Sequence, residues 1–390
     1  MASHLYPSEL SRTSGSFVHN QIRFLAEHCD PVVVSPTPYF PFPGFGRWSR
    51  YRELARRESA DGLDVHRPRY LTLPRRIALG RAWKSYDRAL ESVNLEADLI
   101  HVHCAYPDGL AGVTYGKRHG IPVVITVHGH DLKDLAIGKP RWRSLVERAL
   151  IGANAVIAVS EELQERARDL GVEDRCLHRI PNGIEGELFR FDPSERVPGE
   201  GGWRIVYVGR YDEAKGLVIL LDAVAALVAE GRDLRLDLVG GGKATGTGDV
   251  FRAQAARLGI ADRVDFVDEV PWREVPKHLN KADLFVLPSF SEGLPLSLLE
   301  ALACGLPIVA TRCGGPEEVV DDEVGRLVEP RDVPGLAGAI ADVLDSHSCY
   351  DREAIAARAC REYDYRSVAR RIVDVYKSVM AEPVAASTSR

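Results

Sequence analysis

No stretch of the sequence approaches the roughly 20 consecutive apolar residues that a membrane-spanning helix needs. The opening residues, MASHLYPSELSRTSG, also lack the charged-then-apolar layout of a secretory signal. Cysteine is sparse: seven residues, at 29, 104, 176, 304, 313, 349 and 360, an odd number with no C-x-x-C spacing. That argues against a disulfide scaffold and a zinc ribbon and fits buried thiols in a reducing cytoplasm. Two nucleotide signatures are missing as well. No G-x-x-x-x-G-K-[ST] loop occurs, and a G-x-G-x-x-G starting at Gly240 in VGGGKATGTG would need Gly where Thr245 stands. An ATP or nicotinamide enzyme of the motif-bearing kind is therefore disfavoured. With a net charge of −6 and no nucleic-acid motif, nucleic acid is not an expected partner.

What is present suits a globular enzyme. The chain has 390 residues, 45% hydrophobic and 27% charged, enough for two domains with full cores. Apolar runs alternate with helical patterns. PVVVSP, DLIHVHC, PVVITVHG and AVIAVS in the first half, and WRIVYVG, LRLDLVG, VDFVDEV, DLFVLPS, PIVAT and GRLVE in the second, read as buried parallel strands. FVHNQIRFLAEH, DGLAGVTYGKRHG, RWRSLVERALIGA, VILLDAVAALVAEG and LPLSLLEALACG carry helical spacing. Strand–helix alternation on this scale predicts doubly wound α/β domains. The Pro-, Gly- and charge-rich stretch IPNGIEGELFRFDPSERVPGEGGW marks the break. The expected division is a domain over 1–183, a linker over 184–202, a second domain over 203–365 and a disordered tail over 382–390. Two open sheets so joined would turn the carboxyl ends of their strands toward a cleft, where such sheets bind ligands.

Charge is uneven. Residues 47–88 hold twelve Arg or Lys against five Asp or Glu, interleaved with Trp48, Tyr51, Tyr70 and Trp83. This is either a solvated face or a surface that meets an anionic membrane or acceptor, since each clustered cation contributes about 1 kcal/mol there.

Three polar groups sit where strands end. In VGRYDEAKG, Gly209 and Arg210 follow a strand, and Lys215 and Gly216 precede a helix. Cations at a helix N-terminus oppose its dipole, so their presence points to a bound anion, which the backbone N–H groups and the two cations would hold together. In SEGLPLSLLEALACG, Glu292 falls in the strand-to-helix loop and Glu300 about two turns into an apolar helix, on the same side. Two acceptor-only carboxylates suit sugar hydroxyls. The alternative is one surface Glu and one ion-paired Glu. Finally, HVH (101–103) and HGHD (128–131) each end a strand. Four histidines could converge on a metal, but no further carboxylate stands at a convincing ligand spacing.

Glu-x7-Glu within SEGLPLSLLEALACGLPIVAT, together with VGRYDEAKG, PNG, TVHGHD, HVHCAYPDGLAG and YPSELSRTSGSFVHNQIRFLA, resembles family 4 (group 1) of the retaining glycosyltransferases over nearly the whole chain. The resemblance implies the GT-B architecture: two Rossmann-like doubly wound domains facing across a cleft. Its N-terminal domain would bind the acceptor, its C-terminal domain the nucleotide sugar, and a final helix over about 366–381 would pack back on the first domain. It further implies that Arg210 and Lys215 hold the donor diphosphate and that Glu300 accepts hydrogen bonds from the ribose. Glu292 would contact the transferred sugar, lined by Gly293, Leu294 and Pro295, with His128 near the anomeric carbon. Gly15, in the N-terminal loop, would close over the diphosphate, Gly209 would be among the residues binding the nucleotide sugar, and His130 and Asp131 would lie toward the acceptor. No cofactor or metal is expected, because Arg and Lys replace it. The leaving phosphate would help to deprotonate the acceptor hydroxyl in a front-face attack.

The implied reaction is transfer from a nucleoside-diphosphate sugar, UDP-linked rather than GDP-linked, to a glycan or lipid-linked acceptor in polysaccharide or glycoconjugate biosynthesis. The implied place is the cytoplasm, at the inner face of the membrane. Alternatives are a nucleotide-sugar 2-epimerase of the same fold, a non-catalytic nucleotide-sugar-binding partner, and a metal hydrolase built on the four histidines. Only the residues MASHLY precede Pro7, so the first strand is expected to be short, and SRTSGS offers one Gly where many relatives have two.

Overall fold

The apolar runs form strands with almost no exposed residue. Val123–Val127, Ala155–Ala158, Leu284–Leu287 and Ile308–Thr311 are buried throughout, as strands of a parallel sheet covered on both faces must be. The computed structural model describes residues 1–11, 14–39, 50–71, 79–94, 96–129, 131–135, 140–196, 198, 200–241 and 247–381. His130, the tail 382–390, and residues 47–49 and 72–78 of the basic stretch lie outside them. The chain divides into two units, Met1–Pro181 with Tyr365–Arg390, and Asn182–Asp364. No helix among the described residues is long and apolar enough to cross a membrane.

In the second unit six parallel strands lie in the order Val264–Val267, Leu234–Val239, Trp203–Val208, Leu284–Leu287, Ile308–Thr311, Gly325–Val328. Numbered along the chain, that is 3-2-1-4-5-6, and the winding reverses between Trp203–Val208 and Leu284–Leu287. Helix Leu217–Ala229 buries Leu217, Leu220, Leu221, Val224 and Leu227, one stripe at helical spacing.

The first unit repeats the order. Leu63–His66, Val32–Val34, Ile100–His103, Val123–Val127, Ala155–Ala158 and Leu177–Arg179 run parallel. The short first strand expected from sequence closes this sheet: Ala2 bridges Val34 on one side and Val102 on the other. Its N–H donates to the His101 carbonyl at 2.8 Å and its carbonyl accepts from His103 at 3.2 Å. Residues 1–3 are thus a central strand, and the winding reverses between them and Ile100–His103. One strand departs from the parallel expectation: Arg57–Ala60 pairs antiparallel with Leu63–His66 across a turn at Asp61 and Gly62. Helix Tyr365–Ala381 belongs to this unit and turns Val368, Ile372, Val375, Tyr376 and Val379 onto Phe24, Leu25, Val124 and Ile157.

Two sequence expectations change. Residues 184–202 do not hang between the units. Ile184 donates to the Tyr363 carbonyl at 2.8 Å, Phe189 is fully buried, and the Arg196 guanidinium sits 2.7 Å from the buried Asp283 carboxylate. Their composition signals irregular backbone, which here is packed. Within the basic stretch, Arg67 is not surface charge. It is 2% exposed, donates to Glu58 and the Pro7 carbonyl, and lies over the Tyr6 ring. Arg57 pairs with Asp64, and Arg69 donates to the Leu54 carbonyl.

Candidate functional site

The reversal point of the second sheet collects most of the polar residues singled out from sequence. After Val208 the chain passes through Gly209 and Arg210 into a short turn, Glu213–Lys215, and reaches helix Leu217–Ala229 through Gly216 in the left-handed region, φ 67°. A Cβ at Gly216 would collide with the Pro288 carbonyl, so glycine lets the two loops touch. The contact is reinforced by Phe290, whose N–H donates to the Ala214 carbonyl at 2.8 Å. Tyr207, fully buried, donates from its hydroxyl to the Arg210 carbonyl at 2.8 Å and fixes the first loop.

The result is a short ion pair: Lys215 Nζ stands 2.6 Å from Glu292 Oε1, the two side chains 19% and 10% exposed. Arg210 extends further out and pairs with Asp212 at 3.0 Å. Around them the Glu292 N–H donates to the Cys313 carbonyl, and Asn182 Nδ2 donates to the Leu294 carbonyl at 2.7 Å. Helix Leu296–Ala303 then begins after Pro295 with no side-chain cap, as helix Leu217–Ala229 begins after Gly216. Two uncapped helix N-termini beside two cations make a site for a polyanion. Gly209, Arg210, Lys215, Glu292, Gly293, Leu294 and Pro295 all fall here.

Glu300 lies one turn into its helix rather than two, because the helix starts only at Leu296. It is buried, and its Oε1 accepts from the Trp272 indole N–H at 2.8 Å. Burial pushes its pKa up to about 7, the Trp272 hydrogen bond opposing that shift. Trp272 packs on Phe189, ring centroids 5.4 Å apart. Neither Trp272 nor the role of Asn182 followed from the sequence motifs. Asn182 lay inside PNG, where a turn signal hid a side-chain donor.

The remaining candidates lie in the first unit. Gly15, φ 74°, caps helix Ser16–Leu25 with its Cα pressed on the Leu5 backbone, where any Cβ would clash. His128 follows Val127. Its Nε2 is 3.0 Å from His103 Nδ1, and its ring meets Phe17 edge-on at 4.7 Å. His101, His103 and His128 form a stack, with centroids 4.7 and 5.3 Å apart. They do not converge on a metal: His101 commits both ring nitrogens, to Tyr376 at 2.6 Å and Thr126 at 2.7 Å. Burial and the neighbouring charges hold the pKa of His101 at about 3 and that of His103 well below the usual value. No group of three or more His, Cys, Asp or Glu suited to a metal occurs among the described residues. Asp131, expected toward the acceptor, is buried and accepts from the backbone N–H of Ala105 at 2.8 Å and of Gly129 at 3.2 Å.

A site the sequence did not reveal stands at the reversal point of this first sheet. His4, directly after strand residues 1–3, is bound twice by Asp108, its N–H to Oδ1 at 2.6 Å and its Nδ1 to Oδ2. The Tyr86 hydroxyl donates to the same carboxylate at 2.6 Å.

Comparison with known proteins follows the same division. A family model described as "Glycosyltransferase Family 4" matches residues 14–188 and one described as "Glycosyl transferases group 1" matches residues 202–346. The putative teichuronic acid biosynthesis glycosyltransferase TuaC of Bacillus subtilis is 31% identical over 353 residues, 86% of either chain. D-inositol 3-phosphate glycosyltransferase of Acidothermus cellulolyticus is 31% identical over 320 residues, 75% of this chain and 70% of its own. Among solved structures, sucrose-phosphate synthase from Thermosynechococcus elongatus superposes with a TM-score of 0.81 at 21% identity, covering 97% of this chain and 98% of its own. Anabaena Alr3699/HepE, solved in complex with UDP, gives 0.73 at 20% identity, covering 97% and 98%. At such identities the likeness shows the fold, which is GT-B.

Proposed function

Because the chain belongs to the family 4, group 1 glycosyltransferases, we propose that it transfers a sugar from a nucleoside-diphosphate sugar, UDP-linked, to a hydroxyl of a glycan or lipid-linked acceptor, with retention and without a metal. Sugar transfer in glycoconjugate biosynthesis is common ground for the family; the donor, stereochemistry and metal independence are our reading.

The observation that carries it is the constellation at the second reversal point. Lys215 and Arg210 stand beside two uncapped helix starts, with Glu292 on Lys215 and Glu300 buried behind. Breaking a sugar–phosphate bond leaves negative charge on the diphosphate, and preorganised cations aimed at it are usually the largest catalytic term. Each cation is held by a carboxylate, Arg210 by Asp212 and Lys215 by Glu292. An arriving diphosphate takes over Lys215 and Arg210, which frees Glu292 to meet sugar hydroxyls. Glu300 accepts from the ribose with the oxygen that Trp272 does not hold. The UDP and UDP-glucose complexes of the Alr3699/HepE structures support the uridine choice. A lipid-linked or polymeric acceptor fits the exposed arginines Arg50, Arg52 and Arg56, which would meet an anionic surface at the inner face of the membrane.

The test is a thermal-shift panel of UDP, GDP, ADP and their sugar conjugates with EDTA present, on wild type and Glu300→Ala. A ligand at a hundred times its Kd stabilises the native state by about 2.7 kcal/mol. The expected outcome is stabilisation by the uridine series in wild type and its loss in Glu300→Ala. Stabilisation by none, or only without EDTA, overturns the donor site as described.

A further inference from the structure

The two units share one winding order, and each reversal point holds a carboxylate clamped on a side-chain nitrogen: the half-buried Glu292 on Lys215 in the second, the fully buried Asp108 on His4 in the first. Open α/β sheets bind ligands outside the carboxyl ends of their strands at such points. Only the second is claimed by the nucleotide sugar. We propose that the first is a separate ligand site, for a neutral hydroxyl of the acceptor, and that His4 Nε2 receives that hydroxyl. This rests on the glycosyltransferase reading for what the ligand is, while the site itself follows from the N-terminal unit alone.

The geometry is that of a base held for use. Asp108 has no solvent exposure and three donors on its two oxygens: the His4 N–H, His4 Nδ1 and the Tyr86 hydroxyl. It therefore cannot swing away, and the ring it holds cannot turn over. With Nδ1 donating to the carboxylate, the neutral ring has its lone pair on Nε2, and a carboxylate behind an imidazole raises the basicity of the far nitrogen. Nε2 makes no hydrogen bond to any described residue, and the His4 side chain is 32% exposed. A tie serving structure alone would need only the backbone bond and the tyrosine.

Local charge selects the ligand. Two carboxylates, Asp108 and Asp131, face one imidazole. Burial works against the charged ring, but Asp108, its hydrogen bond and Asp131 together raise the His4 pKa above its ordinary value. Tyr86 is the remaining titratable group on the carboxylate, and burial beside Asp108 keeps it un-ionised, its pKa far above normal. An anion is repelled by this arrangement even when His4 is protonated. A hydroxyl that donates to the neutral ring is not. Acid therefore reverses the hydrogen bond, because a protonated Nε2 donates to the hydroxyl oxygen and no longer receives its proton.

The test uses the full chain labelled with 15N-histidine and saturated with UDP. Methyl α-D-glucopyranoside and methyl α-D-mannopyranoside, up to about 50 mM to reach weak affinities, serve as neutral hydroxylated probes. The expected result is saturable perturbation of the His4 ring nitrogens, and a His4 pKa that falls on glycoside binding because the neutral form is bound. His4→Gln should keep its UDP affinity and weaken the glycoside about tenfold, the worth of one hydroxyl's hydrogen bond. Four outcomes overturn the inference: no effect at His4 while UDP binds; unchanged glycoside affinity in His4→Gln; a His4 pKa that rises on binding; or displacement of the glycoside by inorganic phosphate. Failure of UDP to bind wild type would instead sink the glycosyltransferase reading, and the His4 titration would still report whether the first site takes a glycoside.

Discussion

Glu300 is buried against Trp272, where its carboxyl titrates unlike one at the surface. Its folded pKa of about 7 lies above the ordinary 4.5, so between those values the unfolded chain has released a proton that the native state keeps. Stability accordingly falls as pH rises from 4.5 toward 7 and is lowest above 7, by on the order of 3 kcal/mol at 1.36 kcal/mol per unit. Glu300→Gln keeps the Trp272 hydrogen bond and removes the titration. It should be more stable than wild type above pH 7 and no more stable near pH 4.5, as urea melts across pH will show. Nucleotide binding should move the other way. The ribose hydroxyls need the ionised carboxylate, so wild-type UDP affinity weakens below pH 7, whereas the Gln variant binds about tenfold less tightly with no such pH dependence. A variant that is less stable than wild type at pH 8 contradicts this account. The carboxylate itself was legible in the sequence, because an acidic residue within LPLSLLEALA demands a partner. Its protein partner was not, since Trp272 lies 28 residues earlier and no spacing links the two.

At the scale of elements, the site is a set of loops held by backbone contact. Gly216 meets the Pro288 carbonyl, and Gly315 meets the Gly293 carbonyl so closely that neither position has room for a Cβ. Gly315→Ala should move the Gly293 loop off its neighbour and destabilise the second unit by about 2 kcal/mol or more, because the obstacle is main chain that cannot rotate away. Asn182→Ala should act more gently. It frees the Leu294 carbonyl, costs about 1–3 kcal/mol if that oxygen stays dry, and raises the donor KM several-fold while leaving kcat less changed. A fall in kcat alone would mean the loop is not set by Asn182. The parallel strands were readable because runs such as VVITV and IVAT have no polar face to give to water. The antiparallel strand Arg57–Ala60 was not, although Asp61-Gly62 is a hairpin signal, because RESA has no apolar alternation and sits among arginines. The packed stretch 184–202 was hidden for a related reason: composition reports backbone regularity, and side-chain ties such as Arg196 to Asp283 leave no local trace.

For the molecule as a whole, the first unit is built from both ends of the chain. Helix Tyr365–Ala381 supplies Tyr365, Val368, Ala369, Ile372, Val375, Tyr376 and Val379 to its core. Side chains of that size contribute roughly 1.5–3 kcal/mol each when fully buried, so the helix brings on the order of 10 kcal/mol, comparable with the 5–15 kcal/mol that holds an ordinary domain together. Tyr376 also serves His101, whose Nδ1 has no other partner among the described residues at the base of the histidine stack. Ending the chain after Asp364 should therefore abolish the thermal transition of the first unit and leave that of the second. UDP would still stabilise the surviving transition, because every residue assigned to the nucleotide except Gly15 belongs to Asn182–Asp364. Calorimetry of the truncated chain with and without UDP checks both halves of the claim, and loss or survival of both transitions together would refute it. Tyr376→Phe isolates the polar part. It keeps the ring in the core and strands a buried nitrogen, so it should lower only the first transition, by about 1–3 kcal/mol, and leave the UDP-induced shift in the second unchanged.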